Sequence, residues 1–237
     1  MYETWEEIEA HPLQNGMALE HFLETIDVAP AFAPSDGIVR CIDEGTPGGV
    51  HLAGSGILFE NEDELIELLH QNQIKGLMSH SNCGAAKLSA KQNGWPIADA
   101  DQYGAYHVQA IAQKAGLNYA GHIEIDKLTR PAHQHTAWAA YYDTTGTFNP
   151  LKVPELPLGF GITRSLHTAA DQPLSEMKIA TQIAFGDHGW GKKFTHKKQL
   201  LLIPIASPGF SLPMLIKELA PLKEKYRELV RIEGFTI

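Results

Sequence analysis

An α/β fold, with a mostly parallel central sheet of about four to five strands flanked by helices, is the class this sequence predicts. Three observations carry that prediction. Short runs rich in aliphatic residues, GIVRCID, KGLMS, NYAGHIEI and KQLLLIPI, recur along the chain. Stretches with apolar residues at helical spacing alternate with them, as expected when helices form the crossovers of a parallel sheet. At 237 residues, 43% of them hydrophobic, the chain can bury a sizeable core as one domain spanning 1–237.

The elements follow in order. An N-terminal arm, about 1–30, is helical: Trp5, Ile8, Met17, Leu19, Phe22 and Leu23 are its apolar positions, with a break near His11-Pro12. VAPAFAPSDG, residues 28–37, is a connector, and GIVRCID is the first core strand. A Gly-rich loop covers Glu44 to Gly56. Asn61 offers an N-cap with Glu64 three residues on, and Leu65, Ile66, Leu68 and Leu69 form the stripe of a helix. Lys75 to Ser79 is a second strand ending at His80, a helix starts at Asn82, and another spans Asp99 to Ala115.

Asn118 to Ile125 and Lys198 to Ile205 read as further strands, and Trp138 to Tyr142 as an edge strand before a turn at Thr145-Gly146. The Pro- and Gly-rich segment from Leu151 to Gly161 reads as a surface excursion. Leu174 to Phe185 is helical, and a long amphipathic helix, about 210–231, ends at a Gly234 cap. No internal repeat is visible in the residues.

Composition excludes some partners. With 28 acidic against 19 basic residues, a net charge of −9 provides no footprint for nucleic acid or an anionic membrane. MYETWEEIEAHPLQNG has neither the basic nor the apolar region of a signal peptide, and no run of 18 apolar residues occurs. A cytoplasmic location is the expectation. Two cysteines do not make a disulfide framework.

Both cysteines fall at chemically suggestive places. Cys41 and Asp43 sit two apart at the end of the first strand, so an extended backbone directs them to one face. His80 closes the second strand, and Cys83 follows in the first turn of a helix, where backbone N–H groups lower a thiol's pKa. Ligands in open α/β sheets bind beyond the carboxyl ends of the strands. Two sulfurs and an imidazole converging there suit Zn²⁺, or Cd²⁺ or another soft divalent ion. The competing reading is two core cysteines and an unremarkable histidine.

These residues also resemble a known family. CIDEG at Cys41–Gly45 and SHSNCGAAKL at Ser79–Leu88 are similar to the C-x-D-x-R and H-x-x-C-G signatures of the β-class carbonic anhydrases. PGGVHLAGSG (Pro47–Gly56) and DADQYGA (Asp99–Ala105) are similar to segments of the cadmium-type carbonic anhydrases of diatoms. The resemblance implies Cys41, His80 and Cys83 as metal ligands and Asp43 as the catalytic residue that handles the metal's water. It also implies a hydro-lyase acting on CO₂/bicarbonate or a similar small electrophile such as COS or CS₂, and a homodimer. N–H groups around Gly84, at the helix start, are the expected substrate-binding donors.

The sequence departs from the pattern at Gly45, where the family has an arginine that pairs with the Asp and keeps it off the metal. Without that cation, Asp43 is free to close a Cys₂-His-Asp site, giving a non-catalytic relative. Arg40 should point to the opposite face of its strand, which leaves Arg130 or Arg164 to replace the missing arginine. His51 is a conceivable proton shuttle. His133 and His135 read as exposed loop histidines, and Asp187, His188 and His196 as part of a solvated basic loop. Asp99 and Asp101 are explained by the helix dipole. GGVHLAGSG fits no nucleotide-binding pattern.

Overall fold

The computed structural model describes residues 4–129, 135–187 and 189–237. The chain is α/β, with helices flanking two parallel sheets. In order, the elements are α1 (Trp5–Ala10), α2 (Leu19–Leu23), β1 (Ile38–Arg40), β2 (Val50–His51), α3 (Glu62–Gln71), β3 (Gly76–His80), α4 (Gly84–Gln92), α5 (Ala100–Lys114) and β4 (Asn118–Ile123). There follow β5 (Ala139–Asp143), β6 (Gly159–Thr163), α6 (Asp171–Ala184), β7 (Leu200–Ala206), α7 (Leu212–Tyr226), β8 (Val230–Ile232) and β9 (Phe235–Thr236). No helix among the described residues is long and apolar enough to cross a membrane.

The first sheet has the order β2-β1-β3-β4, and the second has β6-β5-β7-β8, with β9 also on β7. Every pairing is parallel. Each sheet has the size and direction the sequence implies, but there are two, and they repeat one topology. The registers repeat as well. Val39 of β1 faces Val50 and Leu77, while Ala139 of β5 faces Gly159 and Leu201. Counting from these pairs makes Asp43 equivalent to Asp143. Each carboxylate accepts the N–H two residues on, from Gly45 at 3.2 Å and Thr145 at 2.8 Å.

Three sequence expectations need correction. Trp138 to Tyr142 is not an edge: β5 lies between β6 and β7 with all five residues buried. A parallel strand covered on both faces carries no polar alternation to mark it. The excursion from Leu151 stops before Gly159, where β6 begins. The C-terminal helix ends at Tyr226, because Arg227 turns to φ 50° and the chain re-enters the sheet as β8. Gly234 therefore caps no helix. It breaks β8 from β9 opposite Pro204, which has no N–H for the ladder, and a Cβ there would overlap the Pro204 carbonyl.

The first sheet packs Val39, Val50 and Leu77 against Leu65, Leu69 and Val108 in a cluster of its own, while the loops at its carboxyl end pack on the second sheet. A single apolar cluster joins Cys41, Ile42, Cys83 and Ala86 to Tyr141, Phe160, Leu202 and Leu219. At the junction Gly161 N–H donates to the Ile42 carbonyl at 3.0 Å, and His51 N–H to Thr163 Oγ1 at 2.8 Å. A side chain at Gly161 would meet the His51 ring at 3.0 Å, so a Cβ there fits only if the ring gives by a few tenths of an ångström.

Candidate metal centre

The site grows from the carboxyl ends of two adjacent parallel strands. β1 stops at Arg40, three residues before the end of GIVRCID, and Cys41 to Asp43 lead out of the sheet into a turn closed by Thr46 N–H on the Asp43 carbonyl at 3.1 Å. Thr46 Oγ1 holds that turn by hydrogen bonds to the Cys41 and Asp43 carbonyls, both 2.8 Å. β3 ends at His80. Asn82 then takes the left-handed conformation, φ 58°, that Asn tolerates. Its N–H donates to Asp101 Oδ1 at 2.7 Å. This reversal brings Cys83 back as the N-cap of α4.

Cys41, His80 and Cys83 are buried, and their donor atoms all lie within 4.8 Å of one another. The two sulfurs are 3.8 Å apart. A disulfide would need about 2.05 Å. A tetrahedral ion with bonds of about 2.3 Å sets its two sulfurs roughly 3.8 Å apart. His80 Nδ1–H donates to the Ser81 carbonyl at 2.9 Å, which leaves Nε2 as the nitrogen that a metal would take in exchange for a proton. Buried, Nε2 has no hydrogen-bond partner. An orphaned imidazole nitrogen beside two thiols is a donor set suited to a soft divalent ion.

Electrostatics point the same way. The Cys83 thiol and burial push Cys41 well above the usual thiol range. Cys83 is lowered, first by its hydrogen bond from Cys41, against burial, and then by N–H groups at the start of α4. Burial lowers the His80 pKa, but the negative charge of Cys41 and Asp43 outweighs it and raises the group to about 9. The two thiols thus share their protons unequally, and a bound divalent ion would displace the protons that remain. Gly54 N–H donates to Cys41 Sγ at 3.3 Å and Ala86 N–H to Cys83 Sγ at 3.5 Å.

Asp43 lies beside this trio and belongs to a second group, with Glu44 and His135. Its Oδ2 is 4.0 Å from His80 Nε2 and 3.9 Å from His135 Nδ1. His135 is not an exposed loop residue: it is buried, with Nδ1 at 2.9 Å from both Glu44 oxygens. Arg164 is committed elsewhere, to Glu218 at 2.9 Å, and Arg40 to Asp36, as its strand direction requires. Arg130, His133 and His188 lie outside the described residues.

Other expected residues take different roles. His51 is buried, with Nδ1 and Nε2 at 2.7 and 2.8 Å from the Cys41 and Gly48 carbonyls, so it clamps the turn and is no exposed shuttle. Asp101 does more than face a helix dipole, since it holds the Asn82 turn. Asp187 is a solvent-exposed partner of Lys192 at 3.9 Å. Gly84 opens α4, and beside it lies a cavity of about 630 Å³ whose lining includes Leu58, Leu88, Ile179, Ile183 and His135. The three proposed ligands are not part of that lining.

In the second half the positions equivalent to Cys41, His80 and Cys83 are Tyr141, Pro204 and Ser207, so only the first half retains the donor set. Comparison with family models, curated proteins and solved structures finds no match for this chain.

Proposed function

We propose that the chain is a zinc-dependent, carbonic anhydrase-like hydro-lyase whose metal is held by Cys41, His80 and Cys83. The observation that carries this reading is the buried trio itself: sulfurs 3.8 Å apart facing an imidazole nitrogen without a partner. Zinc bound there would lower the pKa of a coordinated water towards neutrality.

The protein's own groups supply the rest. Asp43, with Oδ1 tied to Gly45 N–H, has Oδ2 4.0 Å from His80 Nε2, where it would accept a hydrogen bond and orient the nucleophile if metal were bound. Asp43 falls outside the set of donor atoms that lie within 4.8 Å of one another, which favours an open fourth position. The His135–Glu44 pair fixes the side of Asp43 that an arginine holds in the resembled family. Gly84 and the aliphatic wall contributed by Ile179 and Ile183 suit a small apolar electrophile such as CO₂, COS or CS₂. Ala86 N–H is already engaged by Cys83, which leaves the very start of α4 to face a developing anion.

Metal analysis followed by stopped-flow CO₂ hydration tests this proposal. Purified protein is expected to hold about one zinc per chain, falling below about a tenth in Cys41→Ser. Hydration above buffer is expected, with Asp43→Asn lowering it about 10²-fold or more while zinc stays bound. Fully metallated protein with no rate above buffer would end the hydro-lyase reading and leave a closed Cys₂-His-Asp centre.

A further inference from the structure

Glu176 is the most conspicuous charged side chain that the proposed reaction does not use. It sits on α6 in the second half and is 2% exposed. Oε1 accepts the Ala53 N–H at 2.9 Å, and Oε2 has no hydrogen-bond partner. Burial pushes its carboxyl up to about 8, so the group is neutral near pH 7. An apolar side chain would pack here without leaving a buried oxygen unsatisfied. The Ala53 contact is what distinguishes glutamate from such a side chain.

Ala53 opens a strained turn. Gly54 and Ser55 both adopt left-handed backbone, φ 60° and 57°, which is uncommon for serine. Ser55 is held by its Oγ donating to the Met78 carbonyl at 2.6 Å. A Cβ at Gly54 would lie 2.8 Å from Ala85 Cβ. Strain of this kind persists only where neighbours fix it, and its product is one N–H aimed at a sulfur, Gly54 to Cys41 Sγ at 3.3 Å. The same helix also reaches the other ligand loop: an added Cβ on Gly84 would be 3.8 Å from Ile183 Cδ1. Glu176, Ile179 and Ile183 fall at i, i+3 and i+7, on one face of α6.

We propose that Glu176 is a positioning residue for the metal centre, donated by the half of the chain that has no counterpart of the three ligands. Its carboxyl oxygen holds Ala53, which sets the Gly54 N–H on the Cys41 sulfur and tunes that sulfur as a ligand. The inference rests on the metal reading above. Removing partners that orient a ligand typically weakens metal binding about 10- to 100-fold.

Cd²⁺ titration of the full chain tests it, read by the thiolate-to-metal absorption band and by chelator competition. Wild type must first bind Cd²⁺ with that band; if it does not, the metal reading fails and Glu176 is not in question. Glu176→Met keeps the volume and removes the acceptor, and is expected to bind about 10- to 100-fold more weakly with a shifted band. Glu176→Gln keeps a neutral carbonyl acceptor and is expected within about threefold of wild type. Ala53→Pro deletes the N–H from the other side and should reproduce Glu176→Met even if the latter folds poorly. Wild-type affinity and an unshifted band in folded Glu176→Met, or in Ala53→Pro, would overturn the proposal. So would a Gln variant as impaired as Met, since that would assign the role to something other than a neutral acceptor.

Discussion

His167 is buried with its ring parallel to Phe59, at 10° and 6.2 Å between centroids, and its Nε2 has no partner. Burial, helped by Arg164, lowers its pKa from 6.5 to about 4. A group depressed in the folded state contributes stability that is fully present above its unfolded pKa and is lost as the pH falls towards the folded one. The window is therefore pH 6.5 to 4, and about 2 kcal/mol of the effect falls between pH 7 and 5. His167→Phe keeps the aromatic packing and removes the proton site. Urea midpoints at pH 7 and 5 should differ by less in this variant than in the parent, and an equal loss in both would refute the assignment. The residues that titrate this way were not visible as such in the sequence. Cys41, His80 and Cys83 were, because strand ends and a three-residue spacing bring them together locally. His135, Glu176 and Asp101 were not. His135 and Glu176 have partners, Glu44 and Ala53, far away in the chain. Asp101 holds Asn82 from the next helix.

At the scale of elements, legibility followed the strength of the local pattern. α3, with Asn61 accepting from Asp63 and Glu64 N–H, and β3 appear almost where the sequence placed them. The central place of β5 leaves no mark in the sequence because its five buried residues offer no alternation, and β8 reads as part of the preceding helix because Leu229 and Val230 continue its apolar stripe. What ends α7 is Arg227, and what splits β8 from β9 is Gly234 against Pro204. That contact predicts a large effect from a small change. Gly234→Ala drives a methyl group into the Pro204 carbonyl, where only backbone movement gives relief, and should cost about 2–3 kcal/mol. Gly209→Ala provides a comparison: its φ is 97°, but nothing lies within 4 Å of the added carbon. If chemical denaturation ranks Gly209→Ala as the more damaging, crowding at Pro204 is not what keeps residue 234 a glycine.

For the whole molecule, the repeated topology decides how the halves depend on each other. One half has the donor set, and the other has Tyr141, Pro204 and Ser207 in its place, yet α6 of that second half reaches Ala53 and Gly84 beside the ligands. The sequence concealed this repeat because the equivalent residues share almost no chemistry beyond Asp43 and Asp143; only strand order and register preserve it. Cys41, Cys83 and the β5–β7 side chains belong to one apolar cluster, so the ligand turns pack on the second sheet, while Val39 and Leu77 of the first sheet pack in a cluster of their own. Metal bound to the first half should then stabilise both. An ion at a thousandfold excess over its dissociation constant adds about 4 kcal/mol to the folded state. For a chain of this length that raises the melting temperature on the order of 10 °C. Calorimetry with zinc and after chelation should therefore give one endotherm that moves as a unit. Two endotherms, only one of them responding to zinc, would mean that packing the ligand turns on the second sheet does not couple the halves and that α6 supports the metal centre only weakly.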